Sequence, residues 1–365
     1  MSSTAHHTHR ALIYDSPGNV STKIVELETP EPGMGEILVK MCTHTGVCYS
    51  DMSIMLNSWE GMHAKVGQVG GHEGVGTIAK LGPSCDHANV KLGDRVGIKW
   101  TASACGNCDP CMAGADGICV KQKVSGYHCP GTFQEYVLSP CHYVTPIPDG
   151  VPSDIAAPLL CGGLTSYSAL KKSRAQPGDW VVIAGAGGGL GHLALQIGSR
   201  SMGFRIIGLD VGGKEEFVKS CGAEVFIDVL KKGEGEAEDR VTTEIMRITG
   251  GGAAAVVVCS GSNAAYAQAL SYLKFNGMLV CVGVPAESVA IANAMPGAMV
   301  GKQLNIVGST VGNRKEAMEI LDLAKRGLVK TAIRKEKMEN ISSVFRDMKA
   351  GTLQGRVVIE IAPES

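Results

Sequence analysis

Apolar residues follow two different rhythms along this chain. Up to about residue 160 they fall in short runs broken by Gly and Pro: EILVKMC (36–42), GTIAKL (76–81), DRVGI (94–98) and FQEYVL (133–138). Such runs predict short strands joined by turns and irregular loops, the pattern of an antiparallel, barrel-like domain. Near residue 178 the texture changes. WVVIA (180–184) is continuously apolar, as a parallel strand buried on both faces requires. A Gly-rich turn and a helix over 190–202 follow, then a strand over 205–209 that ends at Asp210. Helices over 215–220 and 240–249 alternate with strands over 224–227, 255–259, 278–283 and 304–307. That alternation predicts a doubly wound parallel sheet, hence an α/β fold. A helix from 313 to about 326 and a strand over 356–361 complete the pattern.

Composition narrows the picture without changing it. The 365 residues exceed what one core usually serves and predict two domains. With 44% hydrophobic and 19% charged residues, and no apolar run long enough to cross a bilayer, a membrane is not an expected partner. A formal net charge of −1 gives no bulk attraction to nucleic acid. The opening MSSTAHHTHR lacks the apolar core of a secretory signal, and thirteen cysteines cannot pair fully within one chain. A reducing, cytoplasmic setting is therefore expected.

Candidate chemistry sits at three places. The first is GAGGGLG (185–191), between a predicted buried strand and a helix. Gly185, Gly187, Gly188, Gly189, Leu190 and Gly191 would let backbone approach a pyrophosphate at a helix N-terminus. Ala186 stands where the common G-x-G-x-x-G turn has its first glycine. Asp210, nineteen residues after Gly191, would accept hydrogen bonds from ribose hydroxyls and repel a 2′-phosphate, which favours NAD over NADP.

The second is CGNCDPCMAGADGIC, with Cys105, Cys108, Cys111 and Cys119 in C-x2-C-x2-C-x7-C spacing. Ferredoxin-type iron–sulfur runs open similarly but close after three residues with Cys-Pro. The long last gap suits a tetrahedral four-thiolate zinc site, closed and structural; an iron–sulfur cluster or free thiols are the alternatives. The third is dispersed. Cys48, His72 and Cys161 would make an open Cys2His metal site, but no local spacing joins them, and each alone reads as a buried side chain.

A resemblance joins them. GVCYSDM, GGHEGVG, the four-cysteine loop, GIKW, LLCGGLTSY, the GGGLG turn, GLVK and the terminal GRVV, in this order, resemble the zinc-dependent medium-chain alcohol dehydrogenases, most nearly the yeast-type fungal ones. The likeness implies a GroES-like catalytic domain over 1–162, completed by 313–365, and a Rossmann NAD-binding domain over 163–312. It implies that Cys48, His72 and Cys161 hold a catalytic zinc, of the open Cys2His kind for which alcohol dehydrogenases are a known case, with Glu73 just behind it. The four-cysteine loop would hold the second, structural zinc. Asp51 would orient His72 through the second ring nitrogen. Ser50 would hydrogen-bond the substrate oxygen, Thr165 would contact the nicotinamide, Lys214 the adenosine ribose and Arg356 the pyrophosphate. The implied reaction is reversible hydride transfer between short primary alcohols and NAD, in a homotetramer.

Two positions depart from the yeast-type pattern. Tyr49 stands where the family usually has His or Arg on the cofactor phosphate, so weaker NAD binding is expected. Leu56 replaces a proton-relaying histidine, so either water completes the relay or oxidation is slowed and depends more on pH. Trp59 and Trp100 match pocket-wall tryptophans that favour small alcohols, and Thr101 beside them is a further candidate. The other seven cysteines (42, 85, 129, 141, 221, 259 and 281) read as incidental thiols. The competing readings are a dehydrogenase of secondary, polyol or aromatic alcohols and an NAD sensor that keeps only the structural zinc.

Overall fold

The structure is a computed structural model that describes residues 7–231 and 237–361, without the side chains of 42, 43 and 237–239. The Cys42 thiol and the N-terminal stretch 1–6 thus lie outside the described residues. The chain forms two compact units. One comprises the chain up to Cys161, Gly312–Lys325 and the segment from Ile333 onward; the other comprises Gly162–Val311 with Arg326–Ala332.

Among the described residues, the first unit is built on a seven-stranded, mainly antiparallel sheet. Its spatial order is Thr145–Pro146, Arg95–Ile98, Gly74–Leu81, Glu36–Val47, Arg356–Glu360, Ile333–Lys337, with Tyr136–Pro140 pairing on Glu36–Val47 as well. Only the last two strands of that path run parallel. The strand predicted over 36–42 continues to Val47, because its second half gains a new partner in Arg356–Glu360. Its register against Gly74–Leu81 breaks between Met41 and Thr45, an irregularity of the kind that bends a strand. Thr22–Glu28, Thr8–Tyr14 and Gln68–Val69 form a smaller sheet. Tyr14, Met52, Met55, Phe133 and Phe345 fill the core.

The strand predicted over 133–138 is observed as Tyr136–Pro140. Phe133 cannot join it, since its N–H goes to Gly70 O (3.0 Å) and its carbonyl receives Leu12 N–H (2.8 Å). Three short helices, Tyr49–Met55, Ser153–Pro158 and Leu164–Lys172, were not predicted. At nine residues or fewer, each with polar Ser among its residues, they rely on tertiary packing rather than propensity.

Among its described residues, the second unit holds a six-stranded parallel sheet in the spatial order Val225–Asp228, Arg205–Asp210, Trp180–Ala184, Ala253–Val258, Leu273–Cys281, Asn305–Gly308. Counted along the chain this is 3-2-1-4-5-6, the order of a dinucleotide-binding fold. The two central strands, Trp180–Ala184 and Ala253–Val258, are almost wholly inaccessible, which explains their runs of Val, Ile and Ala. Arg205 adds its guanidinium over the Trp180 ring at 3.9 Å. The helix predicted over 190–202 runs as Gly191–Gln196 and then widens into a π-type turn at Ile197–Ser201.

Gly208 shows how closely this sheet meets its covering helices. A Cβ there would lie 2.5 Å from Val218 Cγ1 and 3.1 Å from Ala186 Cβ. Gly208→Ala should lower stability by about 1–3 kcal/mol through overpacking. The denaturant midpoint measures this, and an unchanged midpoint would show that the helix can give way.

Candidate active site and second cysteine site

Three separated segments of the first unit deliver four side chains to one place. Cys48 ends the long strand and precedes helix Tyr49–Met55. His72 and Glu73 lie just before strand Gly74–Leu81. Cys161 sits in the wide turn Leu159–Gly163, which continues helix Ser153–Pro158. One donor atom from each of Cys48, His72, Glu73 and Cys161 lies within 4.8 Å of all the others, and all four residues are buried.

Asp51 joins two of these arms. At 1% exposure, its Oδ2 accepts Cys48 N–H (2.9 Å), while Oδ1 accepts Gly71 N–H (3.2 Å) and faces His72 Nδ1 (2.9 Å). With the Nδ1 proton given to Asp51, His72 Nε2 is left as a lone-pair donor, and it has no protein partner. Tyr14, fully buried, donates its hydroxyl to Asp51 O (3.2 Å) and lies against Gly70, where any Cβ would collide with it.

Glu73 is held from both ends. Its carbonyl accepts Gly46 N–H (2.8 Å) and the Thr45 hydroxyl (3.0 Å), and its Oε1 pairs with the Arg356 guanidinium. Oε2 has no partner. Gly46 is required here because a Cβ would run into that carboxylate. Burial pushes the Glu73 carboxyl up to about 7 in spite of Arg356. The hydrogen bond with Cys161, with the charges of Arg356 and His72, holds the Cys48 thiol well below its ordinary value against the effect of burial.

The four-cysteine loop forms a second cluster. Cys105, Cys108, Cys111 and Cys119 bring their sulfurs within 4.8 Å of one another. Cys108 precedes the turn Asp109–Met112, and the N–H groups of Cys111 and Val120 draw its thiol down to about 6. Cys119 Sγ accepts N–H groups from Cys105 (3.2 Å) and Lys121 (3.3 Å), which lower its thiol too. Backbone donors aimed at sulfur favour thiolates, the form that binds metal. Both clusters fit zinc by donor type. Four thiolates would complete one coordination sphere, whereas the buried set offers an imidazole nitrogen and a carboxylate oxygen with no other partner.

The remaining candidates are distributed as follows. Ser50 Oγ lies 3.6 Å from Cys48 Sγ, whereas Tyr49 is 47% exposed. The Trp100 ring meets His72 edge-on at 4.9 Å and Trp59 at 6.4 Å. Trp59 Nε1 and Thr101 Oγ1 are buried without partners, and Leu56 packs on the core. Arg356 turns its charge to Glu73, a pairing that the sequence reading missed. Gly46 and Tyr14 were missed as well. A glycine within a strand run is the one available hint of close approach, and nothing local marks Tyr14.

In the second unit, Gly185 adopts φ +80°, and a Cβ at Gly191 would strike the Gly185 carbonyl, so the turn folds tightly on itself. Gly187, Gly188, Gly189 and Leu190 complete it. Asp210 Oδ2 accepts Gly187 N–H (2.8 Å), and Lys214 Nζ is 3.3 Å from Oδ1. Thr165 is buried in helix Leu164–Lys172.

Asp51→Asn should weaken metal retention at the buried cluster by about 10–100-fold, because the amide cannot accept all three hydrogen bonds. Dialysis against graded chelator with metal analysis measures this; wild-type retention would show that Asp51 does not orient His72.

Comparison with known proteins agrees with this geometry. Residues 33–149 match the family described as Alcohol dehydrogenase GroES-like domain, and residues 189–326 the family described as Zinc-binding dehydrogenase. The chain is 55% identical over 358 residues to alcohol dehydrogenase 2 of Emericella nidulans, covering 97% of each chain. It is 39% identical to an alcohol dehydrogenase of Schizosaccharomyces pombe, covering 98% of this chain and 96% of the relative. Among solved structures, the alcohol dehydrogenase of Aeropyrum pernix matches with TM-score 0.84 at 27% identity, over 96% of this chain and 99% of that one. An acetophenone reductase of Geotrichum candidum, solved in complex with NAD, matches with TM-score 0.81 at 25% identity, over 96% of this chain and 97% of that one. With two zinc-fitting clusters and this similarity along nearly its whole length, the chain belongs to the zinc-binding alcohol dehydrogenase family.

Proposed function

We propose that this protein interconverts short primary alcohols and their aldehydes with NAD as the hydride carrier. The observation that carries the reading is the buried convergence of Cys48, His72, Glu73 and Cys161, with a partnerless imidazole nitrogen and carboxylate oxygen. Cys48, His72 and Cys161 would hold the catalytic zinc with Glu73 beside it, and Cys105, Cys108, Cys111 and Cys119 the structural zinc. When bound, the catalytic zinc supplies a Lewis acid that lowers the pKa of an alcohol hydroxyl.

The chain's own residues do the rest. Asp51 fixes the tautomer and orientation of His72, and Ser50 Oγ receives the hydroxyl proton and passes it on. Trp59, Trp100 and Thr101 narrow the space for the carbon chain, which favours ethanol-like substrates. The turn from Gly185 to Gly191 receives the pyrophosphate on its backbone N–H groups. Asp210 accepts the ribose hydroxyls, with Lys214 beside it, and excludes a 2′-phosphate. Tyr49, Thr165 and Arg356 are assigned as cofactor contacts on family likeness. The division of labour follows a catalytic domain over 1–162 with 313–365 and a nucleotide domain over 163–312.

We further assign the protein to the cytoplasm, where its thiols stay reduced, and to a homotetramer. No described helix is long and apolar enough to cross a membrane. The edge strand Asn305–Gly308 and exposed Val284, Val289, Met295 and Val300 offer apolar surface suited to a second copy.

A panel of alcohols with NAD and NADP tests the reading through kcat/KM; a preference for NADP or for bulky secondary alcohols would overturn it. Cys48→Ser should abolish turnover in a folded protein, whereas Cys108→Ser should chiefly lower stability and metal content. A reversed pair of effects would exchange the roles of the two clusters, and one metal per chain with no ethanol-dependent NADH formation would favour a sensor. Since leucine cannot carry a proton, Leu56→His should speed ethanol oxidation toward the acid side of its pH profile. An unchanged rate and profile would mean that water already completes the relay.

A further inference from the structure

The proposed chemistry makes no use of Lys99, a buried lysine that immediately precedes Trp100. Lys99 is 3% exposed; its Nζ donates to Tyr143 O at 2.6 Å and stands 3.9 Å from the centre of the Tyr143 ring. Burial pulls its ammonium down to about 7 although Asp116 acts in the opposite direction. The backbone here is pinned as well. Ser125 donates its hydroxyl to Lys99 O (2.8 Å) and its N–H to Trp100 O (3.0 Å). On the far side of this short segment, the Trp100 ring stands edge-on to His72 at 4.9 Å.

Tyr143 leads in the other direction. Its hydroxyl donates to Asp116 Oδ2 at 2.8 Å, and Asp116 lies inside the four-cysteine loop, between Cys111 and Cys119. Asn313 Nδ2 ties the same loop through Gly114 O (2.8 Å), and the Arg314 guanidinium lies 5.5 Å from the Tyr143 ring. The loop has little interior of its own, since Met112, Ile118 and Val120 are 70%, 53% and 74% exposed. These polar anchors, rather than apolar packing, therefore set where the loop sits on its unit.

We propose that the four-cysteine loop positions the alcohol pocket, acting through Asp116, Tyr143 and Lys99 to hold Trp100 against His72. The inference rests on the reading of Trp100 as a pocket wall. Asp116, Tyr143 and Lys99 are positioning residues that touch neither substrate nor cofactor. An edge-on ring contact depends steeply on separation, so a small displacement of Trp100 changes the room for the alcohol while leaving the metal ligands in place. The effect belongs in the alcohol KM rather than in kcat.

Tyr143→Phe removes one hydroxyl and keeps the ring; Asp116→Asn keeps the shape and removes the charge. In the zinc-loaded enzyme with saturating NAD, each should raise the KM for ethanol and 1-butanol by roughly three- to tenfold, the weight of one hydrogen bond, with kcat little changed. Zinc content should stay at the wild-type value, and the near-ultraviolet circular dichroism of the tryptophans should change. Trp100→Ala is the reference. If Trp100→Ala shifts the alcohol KM while Tyr143→Phe and Asp116→Asn only lower the thermal midpoint, with wild-type KM and tryptophan spectrum, the inference falls and the pocket reading stands. If Trp100→Ala leaves the alcohol KM unchanged, the pocket reading falls and takes the inference with it. Should Asp116→Asn fail to fold, Tyr143→Phe alone decides.

Discussion

The site of this protein depends on one buried carboxylate. Asp51 takes a backbone N–H from Cys48, a backbone N–H from Gly71 and the Nδ1 side of His72, in a place almost without solvent. An unpartnered charge there would be costly, and three donors offset that cost. The same bonds bring two distant segments to one point and leave His72 Nε2 as a donor. Orientation of the ligand and stability of the fold are thus one interaction seen from two sides.

Around that carboxylate, backbone segments approach more closely than side chains would permit. Gly46 leaves space for Glu73, and Gly70 leaves space for the hydroxyl of Tyr14. Glu73 is then pressed between a strand that holds its carbonyl and an arginine that holds one carboxylate oxygen. Its raised carboxyl pKa follows from burial. Its second oxygen is unengaged, and the residue stands beside Cys48, His72 and Cys161 in a buried group that could hold a metal ion.

The nucleotide unit works by the same close approach with a different result. Gly191 packs on the Gly185 carbonyl, and Asp210 reaches back to the N–H of Gly187. The turn and the second strand end are thereby fixed to each other before any ligand arrives, which reduces what binding must order. At the end of the second strand, Lys214 accompanies Asp210.

Much of this was legible in the residues. The central parallel strands of the second unit could be read from runs of Val, Ile and Ala because both faces are buried, and C-x2-C-x2-C-x7-C announced its cluster because the cysteines are neighbours in the chain. The Gly-rich turn and Asp210 were readable for the same local reason. Phe133 misled because its backbone is claimed by Gly70 and Leu12, partners far away in sequence. Only the tertiary structure could bring Cys48, His72 and Cys161 together, pair Arg356 with Glu73 and set Tyr14 beneath Gly70. Patterns in sequence record what each residue needs from its near neighbours. Contacts between residues dozens to hundreds of positions apart are decided by how strands pair and cross, and such contacts bring Cys48, His72 and Cys161 together.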